Sequence, residues 1–502
     1  MLKKPNNILF LIVVLGLFLR LVGINHGFPF IFHPDEPVIV RSALGLRFNP
    51  NPGHFDWPHL YIYVNYSIYM VFAFIRDFLV RVDLKEAASS VFPLLWNDSL
   101  IFYLITRILS AILGGLTVIP IYLIGKKLFN AKVGILAAFA YATFPFQVFH
   151  SHYTMPDTPM VFLLSWAIYY GVKILSEKDY VNYVLAGFFF GLSASTKYNG
   201  ILGAFIIPLA HFLAPAYSKS VNDMSERKIS LFNSLMLFIA AGLSSILGFV
   251  MGTPYAALDY KTFLRTDGPS GALWQFSNVG TINIFQNFGE LFQTIVYRVG
   301  NTVSYIPLVG LAFSVLLLIY RFIGRKFDKY DLGLSLMVIP TIILLFFVAS
   351  HEKTPSHYFF VVYPYLAVIF GYFVSWIFGI IRKKSVLLSF ISLAILIFLP
   401  LYSSFIVALK YYNNDTRLDL YGWGKTHILY NERILYDLPD FKDVLAGVTK
   451  NYRNVSRILP GEVYDYYVTG SATKLGGTYS EIYSVDNRFR LGPSIIVYKI
   501  TK

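Results

Sequence analysis

The chain has 502 residues, of which 56% are apolar and only 14% charged, and its mean hydropathy is +0.57. Soluble proteins carry about 25% charged residues, so this composition excludes a water-soluble globular protein and indicates a polytopic membrane protein. Cysteine is absent, which excludes disulfide bonds and thiolate metal sites. The net charge of +14 leaves two interpretations open at this point, nucleic-acid binding or a signal of membrane topology.

Apolar runs predict a mainly α fold with about eleven membrane-spanning helices, because roughly 20 residues are needed to cross a hydrocarbon core of about 30 Å. The runs lie at about residues 7–25, 100–125, 131–149, 157–175, 180–196, 198–214, 231–252, 301–321, 332–349, 357–381 and 386–409. The first run follows Lys3 and Lys4 and has no small-residue cleavage site. We therefore expect a retained anchor with its N-terminus in the cytoplasm.

Residues 57–80 are apolar but also rich in tyrosine. If they crossed the membrane, Lys126, Lys127 and Lys132 would lie outside and every later basic loop would invert, against the positive-inside rule. Tyrosine and tryptophan favour a helix that lies in the outer interface. We therefore predict that residues 26–99 form one long outer loop.

The net charge then sorts by side of the membrane. The predicted cytoplasmic segments hold 17 basic and six acidic residues, so +11 of the total of +14 lies inside. The excess is thus an orientation signal, and no nucleic-acid partner is predicted.

The last part of the chain, residues 411–502, is not a membrane sequence. It contains short alternating runs, such as 462–469 and 494–500, separated by turns that contain glycine and asparagine, which indicates strands. An odd number of crossings places this part outside. We predict a membrane domain at 1–410 and a small extracytoplasmic α/β domain at 411–502.

An acidic pair lies in the motif HPDEP, residues 33–37, directly after the first span. Ionisable residues near bilayer depth are costly and are functional candidates by default. Asp35 is a candidate general base for an attacking hydroxyl, and Glu36 is its neighbour. Alternatively, the pair is a solvated acidic turn.

Further polar residues precede or follow the predicted spans. Asp157 is either a catalytic group or a helix cap, and with His150 and His152 it is a weak alternative site for a divalent cation. Lys197 has no nearby acid in the sequence, so it needs a partner, an anionic ligand or access to the interface. Arg107 lies near the start of the second predicted span, where it either binds an anionic ligand or anchors the helix at the membrane interface.

Lys353 and His357 lie just before another predicted span. Together with Arg107 and Lys197 they form a set of candidates for binding a lipid phosphate, while the acidic residues suit an incoming alcohol. This combination predicts group transfer from a lipid-phosphate donor. Neither a phosphate-binding loop nor a dinucleotide-binding turn is present, so nucleotide-driven chemistry is not supported.

In the order and spacing of these motifs, the chain resembles the GT-C membrane glycosyltransferases, specifically the protein O-mannosyltransferase and lipid A aminoarabinose transferase branch (glycosyltransferase family 39-like). The motifs are HPDEP (33–37), WPHLYIYV (57–64), TRILSAILGGLTVIPIYLIGKKLF (106–129), MPDTP (155–159), GLSASTKYNG (191–200), KTPSHYFFVVYP (353–364), DTRLDLYGWGKTHI (415–428) and GPSIIVYKI (492–500). The sequence departs from the eukaryotic O-mannosyltransferases because it lacks a loop insertion large enough for a β-trefoil.

The resemblance implies an inverting transfer of a sugar, mannose or similar, from a polyprenyl-phosphate donor to a hydroxyl acceptor outside. It assigns Asp35, Glu36 and Asp157 to catalysis, and it assigns donor-phosphate binding to a second set, which is Arg107, Lys197, Lys353 and His357. No cofactor is expected to be required, although a divalent cation is an alternative. Protein, lipid and glycan acceptors all remain open, and the compact size favours a prokaryotic cell membrane.

A transporter or flippase of lipid-linked sugars is the alternative function, because polar groups within the membrane also mark transport pathways. Transporters commonly show internal pseudo-symmetry, which is not evident in this sequence. The long first loop and the folded outer tail favour an enzyme.

Overall fold

The computed structural model describes residues 5–221, 230–277, 280–457, 463–470 and 479–500. These residues form two compact units, one of residues 5–20 with 38–404 and one of residues 21–37 with 405–500. The sequence predicts a boundary at residue 411, and it does not predict that residues 21–37 group with the tail. Lys3, Lys4 and Glu462 lie outside the described residues.

The α-helices of the first half of the chain are α1 (Pro5–Leu21), α2 (Glu36–Gly45), α3 (Leu60–Arg81), α4 (Lys85–Val91), α5 (Ile101–Leu116), α6 (Val118–Leu128), α7 (Ala131–Ala142), α8 (Pro145–His150), α9 (Asp157–Ile174), α10 (Tyr180–Thr196) and α11 (Ile206–Ser220). Those that follow, up to the tail, are α12 (Leu231–Gly252), α13 (Tyr255–Leu258), α14 (Tyr260–Phe263), α15 (Ala272–Ser277), α16 (Phe288–Val303), α17 (Ile306–Ile323), α18 (Lys329–Ala349), α19 (Tyr363–Lys384) and α20 (Val386–Tyr412). Short 3₁₀ helices lie at Pro93–Trp96, Tyr198–Phe205, Ser356–Val362 and Val455–Arg457.

The predicted mainly α membrane fold is confirmed, and the chain is an integral, multi-pass membrane protein. Among the described residues, eight helical segments are long and apolar enough to cross a membrane: Leu60–Arg81, Ile101–Leu128, Tyr198–Ser220, Leu231–Gly252, Ile306–Ile323, Lys329–Ala349, Ser356–Lys384 and Val386–Tyr412. Shorter apolar helices lie at Pro5–Leu21 and Ala131–Ala142.

Several elements differ from the predicted spans. The runs 157–175 and 180–196 form α9 and α10, and neither helix is among the eight segments of the described residues that are long and apolar enough to cross, whereas about eleven spans are predicted. The run 131–149 is divided into α7 and α8 at Pro145, because proline lacks an N–H group and disfavours a helical conformation at the residue before it. The segment predicted to lie in the outer interface forms α3, whose 22 residues are sufficient for a crossing. Its placement on the membrane surface therefore stays a prediction.

Helices α9 and α10 are consecutive in the chain and pack against each other. At the turn that joins them, Glu177 forms ion pairs with Lys127 and Lys173. The hydrogen bond from the Lys127 ammonium holds the pKa of the Glu177 carboxyl below its usual range. This turn is consequently fixed by charge at one end of the helix pair.

The second unit contains the small α/β domain, as predicted. Its elements are α21 (Thr416–His427), β1 (Arg433–Tyr436), α22 (Lys442–Ala446), β2 (Asn451–Asn454), β3 (Tyr466–Thr469), β4 (Tyr479–Val485) and β5 (Ile495–Ile500). The sheet order is β2-β1-β3-β5-β4, with β1 parallel to β2 and β3, and β5 antiparallel to β3 and β4. Buried side chains such as Ile434, Phe441 and Val497 form its core.

Helix α10 also packs closely against α12, and glycine makes this approach feasible. A Cβ atom on Gly191 would lie 2.0 Å from the carbonyl oxygen of Ser245, which is far closer than any real contact. Small residues are the usual means by which membrane helices approach at backbone distance. Gly242, on α12, has no heavy atom within 4 Å of such a Cβ position.

We expect Gly191→Ala to destabilise the protein by roughly 1–3 kcal/mol, because α10 and α12 must separate to relieve the overlap. The matched control is Gly242→Ala, which should be neutral or stabilising by up to about 1 kcal/mol because alanine favours a helix. Thermal unfolding of the purified variants in detergent measures both. Equal melting temperatures for the two variants would contradict the close packing.

Candidate functional site

The centre of the candidate site is an ion pair between two residues that are far apart in sequence. The Lys197 ammonium lies 2.6 Å from Asp157 Oδ1. Asp157 is the first residue of α9 and is fully buried, whereas the side chain of Lys197 is 21% exposed. The acid that the local sequence around Lys197 lacks is therefore supplied by the start of another helix.

The two alternatives for these residues can now be compared with the geometry. Pro156 occupies the N-cap position of α9, and no side chain caps this helix. The Asp157 carboxylate instead binds Lys197, so it does not act as a helix cap. Lys197 is directed to this carboxylate and not to the interface alone.

The turn that carries Lys197 is set by its own sequence. Helix α10 ends at Thr196, Lys197 is extended, and a 3₁₀ helix follows at once. A Cβ atom on Gly200 would lie 2.3 Å from Ser193 Oγ. Only glycine therefore lets the GLSASTKYNG segment fold back against the end of α10.

Two histidines stand beside the ion pair. The rings of His150 and His357 have their centroids 5.5 Å apart, and both residues interact electrostatically with the Asp157 carboxylate. Among the described residues, Asp157 Oδ2 has no hydrogen-bond partner. Four residues predicted from three separate segments thus meet, and the carboxylate retains an oxygen that can accept one more hydrogen.

The divalent-cation alternative finds no assembled ligand set in this structure. Within the described ranges, no group of three histidine, aspartate or glutamate side chains could hold a metal ion. The Nδ1 atom of His152 lies 2.8 Å from the carbonyl oxygen of Val148, within its own turn. His150, His152 and Asp157 consequently do not form a metal-binding group here.

The other two predicted phosphate-binding residues differ sharply in their surroundings. Arg107 lies within α5 and is almost fully buried, at 1% exposure. It therefore does not act as an anchor at the interface. Lys353 is exposed in the loop before the 3₁₀ helix Ser356–Val362, and it forms no ion pair with a described residue. The sequence predicts the same phosphate-binding role for both residues, but in the structure Arg107 is buried and Lys353 is exposed.

The acidic pair belongs to the second unit. Asp35 precedes α2 and is partly exposed, and its backbone N–H donates to His33 Nδ1 at 3.2 Å. Glu36 is the first residue of α2 and is fully buried. Of the two carboxyl groups, only that of Asp35 is accessible to a substrate in this structure.

Sequence reasoning missed two residues. The centroid of the Tyr358 ring lies 5.2 Å from the Lys197 ammonium, which is a cation–π distance. The only sequence signal for this contact was the position of Tyr358 next to His357. Arg20 is fully buried in the first unit and donates to the carbonyl oxygens of Tyr141 and Ala142 at the end of α7. A charge inside the first apolar run was the available signal for Arg20.

Comparison with known proteins identifies a segment that contains the Asp157–Lys197 ion pair. Residues 103–243 match the family model described as dolichyl-phosphate-mannose-protein mannosyltransferase. The match confirms the predicted resemblance over that segment. It includes Arg107, His150, His152, Asp157 and Lys197, whereas Asp35, Glu36, Lys353 and His357 lie outside it.

Solved structures with an overall similarity to this chain include two complexes of an oligosaccharyltransferase from Archaeoglobus fulgidus. One, tethered to an acceptor peptide, is 14% identical over 90% of this chain, with a TM-score of 0.47. This chain spans 64% of the length of that protein. The other, AglB with an inhibitory peptide and a dolichol-phosphate, is 13% identical over 93% of this chain and 69% of its own, with a TM-score of 0.47.

A third similar structure is ArnT from Cupriavidus metallidurans bound to undecaprenyl phosphate. It is 12% identical, with a TM-score of 0.46, over 98% of this chain and 97% of its own. No curated protein matches the chain.

We expect Lys197→Met to destabilise the protein by about 3 kcal/mol, because it leaves the buried Asp157 carboxylate without its cation. The double variant Asp157→Asn/Lys197→Met should recover much of this loss, since no unpaired charge remains. Lys353→Met is the control at an exposed lysine and should change stability by no more than about 0.5 kcal/mol. If Lys197→Met unfolds at the wild-type temperature in detergent, the ion pair does not stabilise the fold.

Proposed function

We propose that this protein is an inverting glycosyltransferase that uses a polyprenyl-phosphate-linked sugar, mannose or similar, and transfers it to a hydroxyl acceptor on the outer face of the membrane. The observation that carries the proposal is the segment 103–243, which matches a mannosyltransferase family model and contains Arg107, Asp157 and Lys197. The ion pair within this segment supports the same function, because it holds a partly exposed ammonium group of the kind that binds a phosphate.

In this proposal, Lys197 and Arg107 bind the phosphate of the donor. Lys197 is held beside the N-terminus of α9, where free backbone N–H groups also favour an anion. Asp157 positions the ammonium through Oδ1, so the role proposed for it is to orient Lys197 and not to react with substrate. His357 and His150 add positive charge near the same carboxylate whenever their imidazoles are protonated.

The proposed reaction is a single displacement at the anomeric carbon. The Asp35 carboxylate accepts the proton of the acceptor hydroxyl while the hydroxyl oxygen forms a bond to the anomeric carbon. The bond between that carbon and the phosphate oxygen breaks, and the polyprenyl phosphate leaves with the electron pair. Attack opposite to the leaving group inverts the configuration. Cations held in place stabilise the leaving phosphate more in the transition state than in the ground state.

The remaining assignments are part of the same proposal. The N-terminus is cytoplasmic and the α/β domain is outside, in a prokaryotic cell membrane. The acceptor is a protein, a lipid or a glycan, and nucleic acid has no part in the function. No metal is required, because phosphate is an adequate leaving group without a Lewis acid or a second carboxylic acid of the kind that glycosidases use.

We expect Asp35→Asn to lower the turnover number at least about 100-fold, because general-base catalysis contributes that much. Purified protein in lipid nanodiscs is given dolichyl-phosphate mannose or undecaprenyl-phosphate mannose, with serine- and threonine-containing peptides, a lipid alcohol or an oligosaccharide as acceptor. Released polyprenyl phosphate is measured by mass spectrometry. EDTA is present throughout, since the proposed reaction needs no divalent cation.

The matched control is Asp83→Asn. Asp83 is exposed in the same predicted loop and has a positive φ of 58°, which asparagine tolerates. This variant should keep wild-type turnover. Full activity of Asp35→Asn would reject the proposed base. Movement of labelled donor across vesicles without any release of polyprenyl phosphate would favour the transporter.

We expect the Asp157→Asn/Lys197→Met variant to bind the lipid-phosphate donor at least about 10-fold more weakly than Asp157→Asn alone, because it loses a charge-assisted hydrogen bond to phosphate. The comparison between these two variants keeps the carboxylate removed in both. Replacing Lys197 by arginine instead of methionine, in the same Asp157→Asn background, should restore part of the affinity for the lipid phosphate. Dissociation constants are measured in detergent with undecaprenyl phosphate, which carries the same lipid phosphate as the donor but no sugar, and equal values for the two variants would show that Lys197 does not contact the phosphate.

A further inference from the structure

Residues 21–37, which end in the HPDEP motif, pack with the beginning of the α/β domain in the second unit. The backbone N–H of Gly27 donates to Asn414 Oδ1 at 2.8 Å. The ring of Phe30 meets that of Tyr421, on α21, edge to face at 5.1 Å between centroids. The acidic motif is thus attached to a part of the chain almost 400 residues later.

Arg417 makes a further contact with this segment. The carbon at the centre of its guanidinium lies 3.6 Å from the centroid of the Phe32 ring. Two of its nitrogens, Nε and Nη2, donate to the two oxygens of Asp415 at 2.9 Å each. Asp415 and Arg417 are only 2% and 11% exposed. A cation–π contact is strongest when it is removed from water, and the bidentate ion pair fixes the plane of the guanidinium.

Phe32 in turn determines where the turn that carries Asp35 begins. His33 follows it directly, and the Asp35 N–H donates to His33 Nδ1 at 3.2 Å. Pro34 and Pro37 restrict the backbone on either side of the acidic pair. A shift of Phe32 is consequently transmitted to Asp35 through only two intervening residues, His33 and a proline.

We infer that Arg417 of the α/β domain is a positioning residue for the transfer reaction, acting through Phe32 on the turn that holds Asp35. The inference rests on the proposed function, since it assumes that Asp35 is the base. It gives the DTR segment, 415–417, a task in turnover that is separate from donor binding. The guanidinium does not touch substrate. It holds the motif in the position from which the carboxylate meets the acceptor hydroxyl.

Arg417→Ala tests this inference in the full-length protein, in the nanodisc assay with undecaprenyl-phosphate mannose. The turnover number should fall roughly 10- to 100-fold, because a small misplacement of a catalytic group is enough to cost this much. The dissociation constant for undecaprenyl phosphate should change by less than about twofold, and so should KM for the donor. Arg490→Ala is the matched control, since Arg490 forms an ion pair with Asp419 on the same helix and should keep wild-type turnover.

Phe32 provides the second arm. Phe32→Trp preserves a ring for the guanidinium and should keep most of the turnover, whereas Phe32→Leu should lower it as Arg417→Ala does. In the double variant Phe32→Leu/Arg417→Ala, the two losses should not multiply, because both remove the same contact. Independent, multiplying losses would overturn the inference. If Arg417→Ala fails to fold, the comparison between Phe32→Leu and Phe32→Trp decides the matter alone.

The outcomes separate this inference from the proposed function. If the wild type releases no polyprenyl phosphate with any acceptor, both fall. If the wild type is active and Asp35→Asn is not, but Arg417→Ala retains full turnover, only the inference falls. A loss of donor affinity equal to the loss of turnover in Arg417→Ala also overturns it, because that pattern indicates general damage to the protein.

Discussion

The structure depends on the pairing of charge inside an apolar bundle. Desolvating a lone ammonium is expensive, so the chain must bring an acid to Lys197, and the start of α9 delivers Asp157 to it. At the opposite end of α9, Glu177 in the connecting turn forms ion pairs with Lys127 at the end of α6 and with Lys173 on α9. The Asp157–Lys197 pair therefore joins the start of α9 to the end of α10, and Glu177 joins the turn between these two helices to α6. Removing only one member of the pair would leave an uncompensated charge in the protein interior, so the two residues depend on each other.

A neutral ion pair is also a suitable resting state for the phosphate-binding role proposed for Lys197. The ammonium is already inside the protein, so its desolvation cost is met during folding and not during binding. The carboxylate that holds it keeps one oxygen without a hydrogen-bond partner among the described residues. The Tyr358 ring lies against the ammonium from another direction. These contacts restrict the rotamers of a long side chain, and preorganisation of this kind is what electrostatic catalysis requires.

A feature of this structure can be predicted from the sequence when it depends on residues that are close together in the chain. Hydropathy and length are local properties, so the apolar runs anticipate helices such as α12 and α20, and Pro145 marks the break in the run 131–149 equally locally. Pairing is not local. Nothing in the sequence near Lys197 indicates Asp157, 40 residues away, and nothing separates the buried Arg107 from the exposed Lys353. The sequence motifs contain His150, Asp157, Lys197 and His357, but only the folded structure shows that these four residues lie together.

The attachment of residues 21–37 to the α/β domain has a consequence for biosynthesis. This segment leaves the ribosome early, directly after α1, but its packing partners begin at residue 405. All the intervening helices must be made and inserted before Phe32 can contact Arg417. Contacts between residues so distant in sequence form late in folding, because the entropy of closing the loop has to be met first. The acidic motif therefore completes its native packing only when nearly the whole chain exists, so an incompletely synthesised protein lacks the native arrangement of this motif.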